Sequence, residues 1–391
     1  MKVPQYYEWF CPVKVISGLK ALSNLPYEMD QLQARRAMII TDQGVVGAGL
    51  LKLVEAAFEG SKAVIGAVYD KTPPDSSVKS VSEAAGIFKE KNCDCFVAVG
   101  GGSCMDTTKG ANMIVTEDTY SLVQFLGAER LKKPMKPFIA IPTTAGTGSE
   151  VTLAGVIYDE DKHQKLTFTS YYLLPKVAIL DPKMTLTMPP KITAATGMDA
   201  LTHAIEAYYC LQKNPISDGF AKVAIELIMD NMVKCIEKPG DENARLAMAN
   251  AALIAGLSFS NSMVGVVHSL AHACGGVARV PHGVANAILL PWGMEYNLEK
   301  SGNDIAELAP LLGAKDGGSK SDQAKAAVKA VRDLTKRLKE LSGLPTTLKD
   351  AGVKEDQLEA LAKATINDGA LTYNPEGVNY NDALGLLKKA F

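Results

Sequence analysis

Short apolar runs alternate with helical stretches over the first half of the chain. The runs lie at 13–16, 37–40, 63–69, 96–99 and 138–141, and helix-period stretches such as 45–58 and 77–91 lie between them. Continuous apolar strands joined by helices predict a parallel sheet that is buried on both faces. We therefore expect a doubly wound α/β domain, a fold that binds ligands beyond the carboxyl ends of its strands.

The pattern changes near residue 190. The breaker Met188-Pro189-Pro190 is followed by long segments with helical periodicity and few strand signals. These segments are 191–210, 215–236, 243–259, 322–342, 355–366 and 380–390. The sequence thus predicts an α/β domain over residues 1–189 and an all-helical domain over residues 190–391.

Composition narrows the range of partners and locations. Charged residues make up 21% of the chain and the net charge is −2, so we expect neither a nucleic acid nor a membrane surface as partner. The N-terminus lacks the pattern of a signal peptide, and no apolar run approaches the ~20 residues of a membrane span. The 7 cysteines are scattered and odd in number, which favours a reducing cytoplasm over a secreted disulfide framework.

Two polar, glycine-rich loops directly follow apolar runs. Gly100-Gly101-Gly102-Ser103 follows the run at 96–99, and the loop 142–149 follows the run at 138–141. Glycines let a ligand approach the backbone, and free N–H groups at a helix start attract anions. The pair predicts a cradle for the pyrophosphate and ribose of a dinucleotide. The alternative is two tight turns, because the usual GxGxxG fingerprint does not follow the first strand.

A carboxylate, Asp42, follows the second apolar run. At that position it would accept the hydroxyls of the adenosine ribose and repel a 2′-phosphate. This interpretation favours NAD over NADP. The alternative is an ordinary turn aspartate.

Four of the 5 histidines lie between residues 203 and 282. The fifth, His163, lies in a charged turn and is expected to be solvent-exposed. Asp199 and His203 are four residues apart in a helical stretch, so the two side chains share a helix face. Such a pair alone is more often a surface or core pair than a metal site.

A second pair, His268 and His272, repeats the four-residue spacing in an apolar segment, and His282 follows between proline and glycine. Buried imidazoles need partners, and a metal ion is an efficient one. Imidazoles with one carboxylate and no thiolate suit Fe(II), Zn(II), Co(II) or Ni(II) better than Mg(II) or Ca(II).

The motifs together resemble those of the iron-containing (group III) alcohol dehydrogenase family, over nearly the whole chain. They are Gly100-Gly101-Gly102-Ser103-x2-Asp106, Pro142-Thr143-Thr144-Ala145-Gly146-Thr147-Gly148-Ser149-Glu150, Gly197-x-Asp199-Ala200-Leu201-x-His203-x2-Glu206, His268-x3-His272 and Pro281-His282-Gly283-x2-Asn286-Ala287. The resemblance implies the dehydroquinate synthase-like fold of that family, with an N-terminal dinucleotide-binding domain and a C-terminal helical, metal-binding domain.

The resemblance also implies site residues. The family's metal ligands correspond to Asp199, His203, His268 and His282. Its cofactor-binding positions correspond to Asp42, Gly101, Gly102, Ser103, Asp106, Thr143, Thr144, Thr147 and Lys165. His272 corresponds to a histidine near the nicotinamide and substrate, and we interpret it as a proton relay; the alternative is a supporting or core histidine.

The chain departs from the family pattern at three places. Pro74-Asp75-Ser76 stands where Asn-Pro-Thr is common, Glu376 stands where arginine is common, and Tyr158-Asp159-Glu160 lies where residues vary with substrate. The first departure leaves any cofactor contact at that loop open, and the third leaves the substrate open.

The implied activity is that of a metal-dependent alcohol dehydrogenase or aldehyde reductase acting on a small primary alcohol, diol or hydroxyaldehyde. Fe(II) is the implied metal with Zn(II) as the alternative, and a homodimer or higher homo-oligomer is expected. Rival interpretations are a glycerol dehydrogenase-like or hydroxyacid-oxoacid oxidoreductase, a dehydroquinate synthase-like lyase, a metal-independent maleylacetate reductase-like enzyme and a non-catalytic binding module.

Overall fold

The computed structural model describes residues 3–119, 121–162, 164–314 and 317–391, so His163 lies outside the described residues. The chain forms two compact units. The sheet unit is Cys11–Thr187, and the helical unit is Met188–Phe391 together with the N-terminal segment through Phe10. The predicted domain limits of 1–189 and 190–391 stay a prediction. Within the described ranges, no helix is both long and apolar enough to cross a bilayer.

The sheet unit contains nine strands and five α-helices in its described part. The strands are β1 (Lys14–Ser17), β2 (Arg36–Ile40), β3 (Val64–Tyr69), β4 (Cys95–Gly100), β5 (Gly127–Ala128), β6 (Phe138–Pro142), β7 (Ala154–Asp159), β8 (Gln164–Thr169) and β9 (Val177–Leu180). The helices are α1 (Leu25–Gln31), α2 (Gln43–Gly47), α3 (Leu50–Ala57), α4 (Val78–Glu90) and α5 (Gly102–Glu117).

The main sheet has six parallel strands in the order β1-β9-β6-β4-β2-β3. Its central strands are buried on both faces, because alternate residues face opposite cores. Phe96 and Ala98 of β4 pack with α4 and α5 in one hydrophobic cluster. Val97 and Val99 pack with α1 and α3 in the other. The predicted doubly wound parallel sheet is confirmed.

Three details of the sheet unit differ from the sequence prediction. Strand β9, which lies between β1 and β6 in the main sheet, was not predicted. The stretch 45–58 is not one helix: Gly49 has a φ of 77°, which ends α2 and lets α3 begin at a new angle. A smaller sheet, β5-β8-β7, was not predicted, and its β7 and β8 form an antiparallel hairpin.

The helical unit consists of nine α-helices in its described part, so the all-helical prediction for the second half of the chain is confirmed. They are α6 (Pro190–Tyr209), α7 (Pro215–Glu237), α8 (Glu242–Ser260), α9 (Val266–Ala278), α10 (His282–Tyr296), α11 (Leu298–Leu308), α12 (Lys320–Ser342), α13 (Leu358–Thr365) and α14 (Tyr380–Ala390). The sequence analysis missed α9, α10 and α11.

Helix α6 lies inside this unit. It packs against α7, α8 and α10, and it is buried continuously from Gly197 to Tyr209. Pro190 begins the helix, where a missing N–H is tolerated. The buried Arg245 of α8 fixes this end by donating to Met188 O and Thr193 Oγ1. Polar side chains on α6 are therefore carried into the interior.

Candidate metal centre and cofactor loops

Four potential metal ligands converge inside the helical unit. Asp199 and His203 lie one turn apart on α6, His268 lies on α9, and His282 is the first residue of α10. One ligand atom from each lies within 4.8 Å of the other three. Asp199, His203 and His268 are buried, and the His282 side chain is 39% exposed.

Close packing of two helices brings the fourth ligand to the other three. A Cβ on Gly283 would lie 2.4 Å from the carbonyl oxygen of Ala195 on α6, so a larger residue does not fit there. The start of α10 therefore approaches the α6 backbone directly, and His282 Nε2 lies 3.4 Å from Asp199 Oδ1. A glycine beside the ligand is a packing requirement of the site.

The protonation states of the cluster suit ligands. Burial, followed by the neighbouring His203 and His282, holds the pKa of His268 well below its usual value, so the ring is neutral. Burial raises the pKa of Asp199, but the three histidines and a hydrogen bond from Asn286 outweigh burial and lower it. An ionised carboxylate beside the neutral imidazole of His268 is a state that binds a divalent cation.

Glu206 orients His268. This buried carboxylate lies on α6, and its Oε2 is 2.6 Å from His268 Nδ1. It also accepts backbone N–H groups of Gly265, Val267 and His268 at the start of α9. Burial raises the pKa of Glu206, and these backbone donors oppose the rise. A carboxylate acceptor on Nδ1 leaves Nε2 of His268 as the ligand atom.

Asn286 contacts three of the four ligands from one amide nitrogen. Its Nδ2 donates to Asp199 Oδ1 at 2.7 Å. The same nitrogen lies 3.3 Å from His268 Nε2 and 3.2 Å from His282 Nε2. The side chain is fully buried, so the amide fixes the spacing of the ligands rather than exchanging with solvent.

His272 lies beside the cluster. Its ring stacks on that of His282 with centroids 5.4 Å apart, and its side chain is 43% exposed. Its Nδ1 lies 2.9 Å from Oδ2 of Asp368, whose Oδ1 accepts from Ser269 Oγ and the backbone of Ala370. Burial raises the pKa of Asp368, but the hydrogen bond with His272 and the other donors outweigh it and lower the pKa to about 2.

The donor set fits a transition-metal ion. Three imidazoles and one carboxylate without a thiolate are the ligands that Fe(II) and Zn(II) accept. Buried acceptor atoms this close to one another repel unless a cation lies between them. The partners on His268 and Asp199 are the supporting contacts that protein metal sites have.

The two glycine loops of the sheet unit meet. A Cβ on Gly101 would lie 3.2 Å from Thr144 Oγ1, and a Cβ on Gly102 would lie 3.2 Å from Thr147 Cγ2. The backbone of Thr143 donates to Gly100 O at 3.1 Å. The loops follow β4 and β6, which are neighbours in the sheet, and α5 begins at Gly102. The two loops therefore lie together at the start of a helix, where free N–H groups attract anions.

A cavity of about 60 Å³ lies beside the first glycine loop, and three of the predicted cofactor-binding residues line it. Its lining is Asp75, Ser76, Ser103, Asp106, Val156, Tyr158 and Lys165. Lys165 Nζ lies 3.2 Å from Asp75 Oδ1, so the departure from the family pattern at 74–76 adds a carboxylate to the cavity. Burial raises the pKa of Asp106 to about 6.

Asp42 is the N-cap of α2. Its Oδ1 accepts the backbone N–H of Val45 at 2.9 Å, and its Oδ2 accepts from Cys104 Sγ at 3.3 Å. The hydrogen bond to Val45 is the one that an ordinary turn aspartate makes, so it agrees with the turn-aspartate interpretation. The side chain is half-buried and follows β2, next to the strand that carries the first glycine loop, so a ribose contact is compatible with the cap.

Three residues in these arrangements received no role from the sequence: Glu206, Asn286 and Asp368. Glu206 carried a signal, since it lies three residues after His203 and thus near its helix face. Asn286 lies four residues after His282 on α10, which is the same kind of signal. Asp368 had none, because it lies 96 residues from His272.

Two family models match most of the chain. A family model described as "Iron-containing alcohol dehydrogenase" matches residues 12–182, and one described as "Fe-containing alcohol dehydrogenase family, C-terminal" matches residues 193–391.

Similar proteins share the full length. The 1,3-propanediol dehydrogenase of Klebsiella pneumoniae is 36% identical over 98% of this chain and 99% of its own. The NAD-dependent methanol dehydrogenase of Bacillus methanolicus is 35% identical with the same coverage. A crystal structure of a 1,3-propanediol oxidoreductase matches with a TM-score of 0.94 and 35% identity, over 99% of this chain and 100% of that one. The chain therefore belongs to the iron-containing alcohol dehydrogenase family, whose members are oxidoreductases that act on alcohols and aldehydes.

Proposed function

We propose that this chain catalyses the reversible, NAD-dependent oxidation of a small primary alcohol or diol to the aldehyde. One divalent metal ion, Fe(II), is held by Asp199, His203, His268 and His282. The observation that carries the proposal is the convergence of these four donors within 4.8 Å of one another. Zn(II) is the alternative, because the same donors accept it.

Two observations support a small primary alcohol as the substrate: the names of relatives and an aromatic side chain beside the proposed metal ligands. Relatives at 35–36% identity are named for 1,3-propanediol and methanol, both small primary alcohols. Phe259, half-buried, stacks on His203 with ring centroids 4.2 Å apart, which puts an apolar surface beside the ligands. An apolar surface beside a polar centre suits a short carbon chain with one hydroxyl.

The cofactor lies, in this proposal, on the two glycine loops of the sheet unit. Its residues are Asp42, Gly101, Gly102, Ser103, Asp106, Thr143, Thr144, Thr147 and Lys165. The contact between the loops and the cavity that contains Ser103, Asp106 and Lys165 support this assignment. A relative named as NAD-dependent supports NAD, and the carboxylate of Asp42 disfavours a 2′-phosphate.

The chain's own residues hold the reactants and move one proton. When bound, the metal supplies Lewis acidity towards the substrate oxygen, and the nicotinamide supplies the hydride chemistry. Glu206 and Asn286 keep the ligand atoms in position. Asp368 holds Nδ1 of His272, so Nε2 of that ring exchanges the proton of the substrate hydroxyl with solvent. A homodimer or higher oligomer and a cytoplasmic location stay predictions.

The metal requirement is the direct test of the proposal. Protein purified without oxygen and stripped by a chelator is expected to lose NADH formation with 1,3-propanediol and other small alcohols. One equivalent of Fe(II) restores activity, and Zn(II) is compared in parallel. His268→Ala is expected to lose bound metal and activity together, since it removes a ligand. Full activity in metal-free protein would contradict the proposal.

Glu206→Gln tests the supporting carboxylate. The amide keeps the size of the side chain but replaces one acceptor oxygen by a donor, so His268 loses its charged partner. We expect metal affinity to fall by about 10- to 100-fold. Competition with a coloured chelator, using Zn(II) and Co(II), measures the affinity without a turnover assay.

The matched control for that variant is Asp218→Asn. Asp218 is also a buried carboxylate of the helical unit, but its ion-pair partner is Lys213 at 3.0 Å. We expect metal affinity to stay at the wild-type value in this control. Equal affinities in Glu206→Gln and in the control would show that the carboxylate does not position His268.

Asp42→Asn tests the choice of cofactor. Asparagine keeps the helix cap but removes the negative charge, so fold stability is expected to change little. Repulsion of a 2′-phosphate disappears, and kcat/KM for NADP relative to NAD is expected to rise by about 10-fold or more. An unchanged ratio would mean that Asp42 is only a cap.

His272→Ala tests the proton relay. Loss of a positioned acid–base group is expected to lower kcat by about 100-fold, while metal content stays at one equivalent. Added imidazole is expected to restore part of the rate, because the exposed side chain leaves an open space. Asp368→Asn is expected to give a smaller loss in the same direction. If His272→Ala keeps wild-type kcat, His272 only supports the fold.

A further inference from the structure

The buried lysine of α5 is used by neither the metal centre nor the proposed cofactor contacts. Lys109 is 1% exposed, and its Nζ lies within hydrogen-bond distance of five protein oxygens. These are Ser149 O at 3.0 Å, Ser149 Oγ at 3.0 Å, Thr152 O at 3.0 Å, Thr152 Oγ1 at 3.3 Å and Ala154 O at 2.7 Å. An ammonium has three hydrogens, so its donors are fully engaged by the protein.

All five oxygens belong to one segment. Residues 149–154 continue the second glycine loop and lead into β7. Three of the oxygens are main-chain carbonyls: Ser149 in a short 3-10 helix, Thr152 after it, and Ala154 at the start of β7. Lys109 therefore joins the short helix at Ser149 to the start of β7 through one donor group.

The position of Lys109 on α5 connects this segment to the first glycine loop. Ser103, Asp106 and Lys109 are spaced three residues apart on α5, which begins in that loop at Gly102. Ser149 in turn constrains the second loop, because its backbone N–H donates to Thr147 Oγ1 at 3.2 Å. The lysine thus ties α5 to the end of the loop that carries Thr143, Thr144 and Thr147.

The charge of Lys109 is maintained in the interior. Burial lowers the pKa of Lys109 to about 8, while Asp106 and Glu150 oppose the decrease. Burial also raises the pKa of Glu150 to about 7. A buried cation is costly unless it is hydrogen-bonded and has anionic neighbours, and Lys109 has both. Replacing it would remove one donor from each of these oxygens.

We propose that Lys109 is a positioning residue for the cofactor: it holds the loop 142–149 against the start of α5 in the conformation that binds the dinucleotide phosphates, without contacting the cofactor itself. A lysine near a glycine loop often binds phosphate directly. Here the engagement of Nζ with five protein oxygens argues for the indirect role. The inference rests on the proposed cofactor site.

Lys109→Met in the metal-loaded full chain tests the inference, because methionine keeps the apolar part of the side chain. The Kd for NADH, measured by nucleotide fluorescence, is expected to rise by at least about 10-fold through loss of loop order. KM for NAD is expected to rise in parallel, while kcat at saturating NAD stays within about twofold. Metal content is expected to match wild type.

Asn112→Ala is the matched control. Asn112 is also buried on α5, one turn after Lys109, and its amide bonds the backbone of Lys136 through both Nδ2 and Oδ1. Its loss is expected to lower Tm but to leave the Kd for NADH unchanged. If Lys109→Met does not fold, Thr152→Val removes one acceptor at nearly constant size, and a rise of the Kd by about 5-fold is expected.

The outcomes separate this inference from the proposed function. Wild-type protein that binds no NADH would overturn both. Wild-type binding with an unchanged Kd in Lys109→Met, or an equal change in Asn112→Ala, would overturn the positioning role alone. A parallel loss of kcat at saturating NAD would also overturn it, because Lys109 would then act on the reacting groups.

Discussion

The constraint on which the helical unit depends is the convergence of three imidazoles and one carboxylate at mutual distances within 4.8 Å, with Asp199, His203 and His268 buried. Without a cation, a buried charge that is not compensated lowers the stability of the folded state by on the order of several kcal/mol. The unit nevertheless buries α6 almost entirely and brings α10 against it so closely that only glycine fits at position 283. A metal ion at the proposed site would supply the missing compensation, so we expect metal binding to stabilise this unit.

The sequence predicted elements where periodicity has a physical cause. The strands β2, β4 and β6 were predicted because both of their faces are buried, which leaves an uninterrupted apolar run. Helices α9 and α10 were missed for a related reason. Residues 284–291 of α10 are all buried, so this stretch has no polar face to reveal a helical period, and Pro291 lies inside the helix. Strands β7 and β8 are as long as β4, but they mix polar and apolar residues, so no uninterrupted apolar run indicated them.

The candidate site was predictable only to the extent that its members are close in sequence. Asp199 and His203 share a turn, so spacing alone indicated that pair. The clustering of histidines also indicated His268, His272 and His282, the family resemblance selected His268 and His282 as the further ligands, and the structure brings these four residues together. The contacts that tune the site span longer distances: Glu206 meets His268 across 62 residues, and Asn286 meets Asp199 across 87. No local pattern encodes these pairs, because each depends on which helix faces are packed together.

In each unit a buried ionisable side chain holds a neighbouring segment through several hydrogen bonds. In the helical unit the buried carboxyl group of Glu206 accepts N–H groups from the start of α9 and so fixes His268, a proposed metal ligand. In the sheet unit the buried cation Lys109 donates to oxygens that follow the second glycine loop. A buried charge is tolerated only when it is surrounded by hydrogen bonds, and that requirement makes it a precise spatial constraint on its neighbours. Apolar packing could also stabilise α9 or the loop, but it would allow small displacements of the backbone. A metal-ligand atom or a phosphate contact requires a more precise position.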